Sequence, residues 1–254
     1  MASKELTAAI EAAREAGDFI LSLYRQNVTV RIKADATPVT EADVRGEEII
    51  HKLLHKRFPS HGFYGEESGP QDLEAESVWL VDPIDGTKSF VRDTPFFSTQ
   101  IALMRAGELV LGVSSAPAYG EVAWAEEGGG AFLNERLVHV NQVSELNAAI
   151  VSSGNLKSLT AGEGWGRFGE LIRRVSRVRG YGDFLHYHLL ARGALDVVIE
   201  SDVHILDIAA LVVIVREAGG TFTDLEGVPV GLKTTSVLAT NGVLHAPVLK
   251  VLRP

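Results

Sequence analysis

The chain has 254 residues, of which 46% are hydrophobic and 22% charged, a composition that is ordinary for a globular protein with a sizeable core. It carries 24 basic and 33 acidic residues, and the formal net charge of −9 argues against non-specific binding to nucleic acid or to an anionic membrane. It contains no cysteine, which excludes disulfides, thiolate–zinc sites and cysteine nucleophiles.

The apolar stretches of the sequence predict a cytoplasmic protein. Residues Met1–Gly17 are charged and rich in alanine, without the continuous apolar core of a signal peptide. The longest strongly apolar stretch, Ile208–Val215, is far too short to span a bilayer. No internal repeat, low-complexity tract or long linker marks a domain boundary.

The first part of the chain predicts two helices. Residues Lys4–Gln26 place apolar side chains at helical spacing, and Ser3 is available as the N-cap. A turn is expected around Asp35–Pro38. The run that starts at Thr40 and includes Asp43 is typical of a capping box, and it predicts the start of a second helix.

The remainder of the chain predicts a sheet followed by alternating helices and strands. Residues Val78–Asp82 form a short apolar strand that is expected to stop at Pro83. Residues Phe97–Val140 alternate apolar runs with glycine-containing turns, as in an antiparallel meander. After that come predicted helices at Gly164–Val175, Asp183–Arg192 and Asp207–Ala218, and a predicted strand at Leu195–Glu200. The pattern as a whole is that of a layered α/β protein.

The most informative stretch is Asp82–Phe90, with the sequence DPIDGTKSF. A bend after the predicted strand would bring the carboxylates of Asp82 and Asp85, and the carbonyl between them, toward one point. Two close carboxylates repel each other unless a cation lies between them, and oxygen ligands suit a hard ion such as Mg²⁺. Gly86 and Thr87 then open a turn or helix whose N–H groups could hold a phosphate. The alternative is an ordinary acidic turn, since Asp, Pro and Gly all favour turns.

Three further acidic positions have unusual settings. Glu66 begins a glutamate pair directly after a predicted strand, Asp207 opens an apolar helix, and Asp43 follows a helix start. Taken singly, they have ordinary interpretations as a solvated loop, an N-cap and a capping box. Together with the DPIDGT run, their occurrence in one chain is more than coincidence.

In this order, the motifs resemble those of the inositol monophosphatase family of Mg²⁺-dependent, lithium-sensitive phosphatases. The resemblance covers nearly the whole chain and implies a layered α/β/α/β/α sandwich, a homodimer, and a single domain over residues 1–254. Leu206 and Ser89 depart from the family pattern, which usually has tryptophan and asparagine there. The motifs that carry the resemblance are Pro38–Asp43, Gly65–Ser68, Asp82–Phe90, Asp207–Ala210 and Glu217–Gly220.

The resemblance also implies roles for individual residues around two or three Mg²⁺ ions. Asp43, Thr87 and Glu66 would be catalytic, with Thr87 oriented by Asp43 to position and help deprotonate the attacking water. The backbone N–H groups of Gly86 and Thr87 would hold the phosphate. The implied metal ligands are Glu66, Asp82, the Ile84 carbonyl, Asp85 and Asp207.

Two more acids, Asp183 and Glu200, are expected to bind the rest of the substrate. In the resembling inositol enzymes the position of Asp183 holds a small neutral residue, so a carboxylate there favours a substrate with an amine. The runs Tyr181–Phe184, Ala239–Gly242 and Ser115–Ala118 are similar to those of histidinol-phosphate phosphatases of this type. The alternative for Asp183 is a simple helix N-cap.

Other functions remain as alternatives at this stage. The first is a phosphatase of inositol 1-phosphate or of a broader set of sugar phosphates. A non-catalytic regulator with the same fold is a second alternative, but it would have no need to keep every acidic position. A nucleotide 3′-phosphatase is a third, but it would need basic and aromatic residues near the base, and nothing in the sequence singles such residues out.

His186 and His188 lie two apart on a predicted helix and point to different faces, so they cannot share one metal ion.

Overall fold

The computed structural model describes residues 2–26, 28–33, 38–161 and 164–253. The expected turn at Asp35–Pro38 falls mostly outside these residues. The helices are α1 (Lys4–Leu23), α2 (Glu41–Arg57), α3 (Thr87–Val91), α4 (Leu156–Leu159), α5 (Gly164–Arg174), α6 (Asp183–Ala191), α7 (Ile205–Glu217) and α8 (His245–Leu252). The strands are β1 (Val30–Ile32), β2 (Pro38–Thr40), β3 (Gly62–Gly65), β4 (Gly69–Gln71), β5 (Ser77–Asp85), β6 (Ser98–Arg105), β7 (Glu108–Ala116), β8 (Glu121–Glu126), β9 (Gly130–Leu133), β10 (Arg136–Val138), β11 (Ile150–Ser153), β12 (Arg177–Arg179), β13 (Val197–Ser201), β14 (Thr221–Thr223) and β15 (Ser236–Thr240).

Two large sheets organise the described residues. The first has the strand order β10-β9-β8-β7-β6-β5-β3-β4 and is antiparallel except where β3 pairs with β5. The second has the order β12-β11-β13-β15-β14, with parallel pairs around β11. The antiparallel meander and the alternating second half predicted from the sequence are therefore confirmed.

The helices form three layers around the two sheets. Helices α1 and α2 pack on one face of the first sheet, α6 and α7 lie between the two sheets, and α5 and α8 cover the outer face of the second sheet. This order of layers is the α/β/α/β/α sandwich that the resemblance implied. Among the described helices, none is both long enough and apolar enough to cross a membrane.

Helix α7 is apolar on nearly every side because both sheets cover it. All of its residues between positions 208 and 215 are buried, as expected of a helix in a central layer. At Gly112 of β7 the helix lies directly on the sheet, since an added Cβ would come within 2.3 Å of the Ala210 carbonyl oxygen. The absence of a side chain at this position sets how closely α7 approaches the sheet.

Several element boundaries differ from the predictions. Strand β5 does not stop at Pro83 but runs on to Asp85, with a shift of register between Asp82 and Asp85 where the proline supplies no N–H. Helix α7 begins at Ile205, two residues before the predicted start at Asp207, because His204 is its N-cap. Helix α1 ends at Leu23 instead of Gln26. The N-cap at its start is confirmed, since the Ser3 hydroxyl accepts from the Leu6 N–H at 2.9 Å.

We expect Gly112→Ala to lower the free energy of unfolding by about 1–3 kcal/mol, because the new methyl group overpacks the contact between β7 and α7. Gly169→Ala is the matched control: this helical glycine has no atom within 4 Å of an added Cβ, so the change should be neutral or stabilising by about 0.5–1 kcal/mol. Denaturant unfolding of both variants measures the difference. Equal stabilities would show that α7 is free to move away from the sheet.

Candidate active site

Three aspartates meet at the end of β5 and the start of α7. Asp82, Asp85 and Asp207 each offer a carboxylate oxygen, and these oxygens all lie within 4.8 Å of one another. Asp82 is buried, and the other two are partly exposed to a cavity. The first two come from the DPIDGT run and the third from more than a hundred residues further along the chain, so the tertiary fold brings them together.

The bend in the DPIDGT run has identifiable causes. The Asp82 carboxylate accepts from the Ile84 N–H at 2.9 Å, and the Thr99 hydroxyl donates to the Pro83 carbonyl at 2.9 Å. Gly86 then adopts a left-handed φ of 89°, and an added Cβ would lie 2.6 Å from a backbone carbonyl oxygen. Only glycine satisfies both requirements. The chain consequently turns from β5 into α3 at the cavity.

Burial and neighbouring carboxylates raise the pKa of all three aspartates. Burial raises the pKa of Asp82 and Asp85 well above the usual range, and neighbouring carboxylates add to the shift in both cases. Burial also raises the pKa of Asp207 to about 7, despite a hydrogen bond from the His204 N–H. Close oxygen donors that destabilise one another's charge are the ligand set that fits a hard divalent cation.

Glu66 lies beside this cluster at the end of β3, where its N–H donates to the Val81 carbonyl at 3.1 Å. The Lys33 ammonium contacts Glu66 at 3.0 Å and Glu67 at 2.6 Å. Burial opposes the lysine's charge, but the hydrogen bonds to the two glutamates raise its pKa overall. The glutamate pair is therefore not a freely solvated loop.

The sequence analysis missed Lys33, and it also missed the residue that shapes the glutamate loop. Glu47 of α2 is buried and accepts from the N–H groups of Glu67 and Ser68 at 2.7 and 2.8 Å. A glutamate on the buried face of a predicted helix was the available signal for Glu47. Nothing in the sequence near Lys33 indicates its contact with the glutamates, because these partners lie more than thirty residues away in the chain.

Asp43 has two structural roles at once. Its Oδ2 atom accepts from the Thr40 N–H at 2.7 Å and from the Thr40 hydroxyl at 2.6 Å, which completes the predicted capping box of α2. Its Oδ1 atom accepts from the Thr87 hydroxyl at 3.0 Å, and that hydroxyl also lies 3.0 Å from the Ile84 carbonyl oxygen. Burial raises the pKa of Asp43, although its hydrogen bonds oppose the shift.

Asp183 does not cap α6. The N-cap is Gly182, without a side-chain capping bond, and Asp183 is the first helical residue with a left-handed φ of 45°. The N-cap alternative is therefore wrong. Burial and the charge of Glu200 raise the pKa of Asp183 to about 6. The side chain lines the same cavity as the aspartate cluster.

Glu200 lines a small pocket that shares Asp85, Asp183 and Asp207 with this cavity, and two neighbours on α6 hold its carboxylate. Its Oε2 atom accepts from the Tyr187 hydroxyl at 2.7 Å and lies 3.1 Å from the His186 Nε2 atom. His188 instead contacts Glu121 at 3.0 Å. The prediction that the two histidines point to different faces and do not share one ion agrees with these contacts.

The acidic groups line a cavity of about 750 Å³, which contains Gly86, Thr87, Lys88 and Ser89 at the start of α3. Leu206, which replaces the family tryptophan, is buried at the cavity wall. The His204 ring, which the sequence analysis did not single out, caps α7 and lies 3.4 Å from the Tyr64 hydroxyl. A larger groove of about 1220 Å³ between α5 and α8 contains none of the residues that the motifs identified.

Comparison with known proteins gives a consistent result. Residues 1–253 match the inositol monophosphatase family. A histidinol-phosphatase of Mycobacterium tuberculosis is 42% identical over 88% of this chain and 87% of its own length. An inositol-1-monophosphatase of Mesorhizobium japonicum is 35% identical over 98% of this chain and 96% of its own. The crystal structure of the extragenic suppressor protein suhB from Bartonella henselae superposes with a TM-score of 0.90, with 31% identity and 99% of each chain covered.

The layered fold and the acidic cavity are those of a phosphoric monoester hydrolase. The chain belongs to the inositol monophosphatase family. Enzymes of this family are generally metal-dependent, and the aspartate cluster has the donor chemistry for a cation.

Without divalent cations, Asp207 and Asp183 should contribute stability at about pH 5 that is lost by about pH 8. In the folded state the pKa of Asp207 is about 7 and that of Asp183 is about 6. Both values lie above the pKa of about 3.9 of an aspartate in the unfolded chain. The folded state therefore binds more protons than the unfolded state in this window, and the free energy of unfolding falls as the pH rises through it.

Thermal unfolding of the chelator-treated protein across that pH range measures the effect, and added Mg²⁺ should reverse the loss at high pH. Asp207→Asn keeps an oxygen to accept from the His204 N–H but removes the charge, so its pH dependence should be shallower. If chelated Asp207→Asn had the same pH dependence of stability as the chelated unmodified protein, the proposed repulsion would be contradicted.

Proposed function

We propose that this chain is a Mg²⁺-dependent phosphomonoesterase that hydrolyses histidinol phosphate to histidinol and phosphate, as a step of histidine biosynthesis. The observation that carries the proposal is that Asp183 lines the same cavity as the aspartate cluster, and that Glu200 lines a small adjoining pocket together with Asp85, Asp183 and Asp207. The aspartate cluster fits a divalent cation, and the Asp183–Glu200 pair fits the amine of the substrate.

The chain would hold its ions with carboxylate and carbonyl oxygens. Glu66, Asp82 and the Ile84 carbonyl would hold a first ion, and Asp82, Asp85 and Asp207 would hold a second; the family resemblance allows a third. When bound, Mg²⁺ supplies Lewis-acid chemistry: it polarises the phosphoryl oxygens and lowers the pKa of water. Bound cations also resolve the conflict between an acidic cavity and an anionic substrate.

Thr87 and Asp43 orient the attacking water in this proposal. The Thr87 hydroxyl donates to the Asp43 Oδ1 atom, so a lone pair of the threonine oxygen remains to accept a hydrogen bond from water. The raised pKa of Asp43 makes it a better proton acceptor. A proton leaving the water passes to the Thr87 oxygen while the threonine proton passes to Asp43. The N–H groups of Gly86 and Thr87, at the start of α3, hold the phosphate.

The Asp183–Glu200 pair supports the choice of an amine-bearing substrate. Burial and the nearby charge of Glu200 raise the pKa of Asp183. The Oε2 atom of Glu200 already accepts from Tyr187, which leaves Oε1 for a ligand. An ammonium group between these acids would relieve the repulsion, and histidinol phosphate carries both an amine and an imidazole.

Inositol 1-phosphate, or another sugar phosphate, is the second candidate. It is favoured by the 35% identity with a protein named as an inositol-1-monophosphatase. A neutral polyol would leave the repulsion between Asp183 and Glu200 unrelieved, which is why we prefer histidinol phosphate. A single domain over residues 1–254, a homodimer and a cytoplasmic location complete the proposal, and these rest on the family resemblance and the sequence.

Thr87→Ala should lower kcat strongly, because positioned proton transfer contributes roughly 10²- to 10⁴-fold. Thr87→Ser keeps the hydroxyl and should restore much of the loss. Steady-state kinetics at saturating Mg²⁺ measures both variants. A change confined to KM would contradict the proposed orientation of the water.

Thr40→Ala is the control for the second role of Asp43. It removes a capping hydroxyl from α2 and should lower the stability by about 0.5–2 kcal/mol, while the bond from Thr87 to Asp43 remains. Asp43→Asn should instead lower kcat strongly. If Thr40→Ala lowered kcat as much as Asp43→Asn, the capping role alone would explain Asp43.

Asp183→Asn tests the substrate. A charge-assisted hydrogen bond is worth roughly 1.5–3 kcal/mol, so kcat/KM for histidinol phosphate should fall about 10- to 150-fold. Inositol 1-phosphate, which has no amine, should lose much less. Asparagine tolerates the left-handed φ of this position, so the change adds little backbone strain.

Asp202→Asn is the matched control, since Asp202 is an exposed acid at the rim of the same cavity. It should change both activities by less than about threefold, as rim charges are screened by solvent. Equal losses on the two substrates for Asp183→Asn would overturn the amine assignment.

A further inference from the structure

A line of buried polar side chains connects the aspartate cluster with the outer part of α6. Its members lie on β5, β6, β7, β8 and α6, and their sequence separations show that only the fold brings them together. In order from the cluster, they are Asp85, Ser98, Gln100, Ser114, His188 and Glu121.

The half of the line nearest the cluster follows the register of the first sheet. Asp85 is opposite Ser98, and Gln100 is opposite Ser114. The Ser98 hydroxyl donates to the Asp85 carboxylate at 3.4 Å. The Gln100 amide nitrogen donates to Ser98 at 2.8 Å and to Ser114 at 3.1 Å. One amide therefore joins two serines on neighbouring strands.

The outer half of the line passes through a buried histidine. The His188 Nε2 atom lies 2.9 Å from the Ser114 hydroxyl, and its Nδ1 atom lies 3.0 Å from a Glu121 carboxylate oxygen. Arg192 donates to the other Glu121 oxygen at 3.2 Å. His188 is 1% exposed and Arg192 is partly exposed. The line thus runs from near the surface to the cavity.

The hydrogen atoms of the line have one consistent arrangement. The hydrogen bond from His188 lowers the pKa of Glu121, so Glu121 is an ionised acceptor and the His188 Nδ1 atom carries the hydrogen. Burial lowers the pKa of His188, so its Nε2 atom accepts from the Ser114 hydroxyl. Ser114 in turn accepts from Gln100. Ser98 also accepts from Gln100, and its own hydrogen points to Asp85.

The orientation of the Gln100 amide decides whether the Ser98 hydrogen is available to Asp85. Its side-chain carbonyl oxygen is buried and has no hydrogen-bond partner among the described residues, although buried acceptors are normally satisfied. Turning the amide over would offer this oxygen to both serines. The Ser98 hydrogen would then be drawn away from Asp85, whose carboxylate would lose a donor. With the amide nitrogen facing the two serines, the Ser98 hydrogen is left for Asp85.

We propose that Gln100 and His188 are positioning residues, which orient the Asp85 carboxylate for a divalent cation through Ser114 and Ser98 without touching cation or substrate. This inference rests on the proposed function, since it requires Asp85 to be a ligand. A carboxylate with a fixed hydrogen bond presents its remaining lone pairs in a defined direction, and partners of this kind tune metal affinity.

The test is the affinity of the full-length, chelator-treated protein for Mg²⁺, measured by calorimetry without substrate. Gln100→Leu and His188→Leu should each weaken binding by roughly tenfold, the lower end of the range for partners of metal ligands. Ser114→Ala removes only a hydroxyl and should have the same direction of effect, which keeps the test available if His188→Leu does not fold. His245→Leu is the control, because this buried histidine bonds two threonine hydroxyls away from the line.

The double variant Gln100→Leu/His188→Leu distinguishes an effect of His188 on Asp85 that passes through Gln100 from a general loss of packing. If His188 acts through Gln100, the double variant binds Mg²⁺ no more weakly than the weaker-binding single variant. Independent, additive losses would overturn the proposal. So would unchanged affinities combined with a fall in Tm like that of His245→Leu, because the line would then be structural only.

Asp85→Asn distinguishes a failure of this inference from a failure of the proposed function. If Asp85→Asn loses affinity while Gln100→Leu, His188→Leu and Ser114→Ala keep it, only the positioning role is wrong. If Asp85→Asn binds Mg²⁺ as the unmodified protein does, the metal assignment itself is wrong and the inference falls with it.

Discussion

The repulsion between buried carboxylates at the end of β5 and the start of α7 is the constraint on which the rest of the structure depends. Asp82, Asp85 and Asp207 lie close together where burial already disfavours their charge. Such an arrangement is costly in a folded protein without a cation. The surrounding elements hold it in place: the bulge of β5, the left-handed Gly86, and the tight approach of α7 to β7 at Gly112.

Helix α6 contacts both the proposed substrate region and the line that leads to Asp85, through its two histidines. His186 lies against Glu200, on the side that we assign to the substrate's amine, and His188 lies against Glu121 on the line that leads to Asp85. Both histidines are buried in the central helical layer. One short helix therefore supports both the proposed substrate region and the proposed metal region, from opposite sides.

The sequence predicted the parts of the site that are encoded locally. The DPIDGT run, the capping box at Thr40 and Asp43, and the meander were readable because turn chemistry, caps and strand alternation act over a few residues. What it could not predict depends on distant parts of the chain. Lys33 beside Glu66 and His188 beside Ser114 carry no local pattern, and only the packed layers bring them together. The strand end at Pro83 was placed too early because a bulge absorbs a proline without ending the pairing.

The two sets of hydrogen bonds on Asp43 have a consequence for how this protein can change over generations. One carboxylate oxygen accepts the hydrogen bonds from Thr40 that stabilise the start of α2, and the other accepts from the Thr87 hydroxyl. A substitution of Asp43 that changed the start of α2 would remove the partner of Thr87 at the same time. Selection for thermal tolerance and selection for turnover thus act on the same side chain at position 43, and adaptation to heat would have to proceed at other positions.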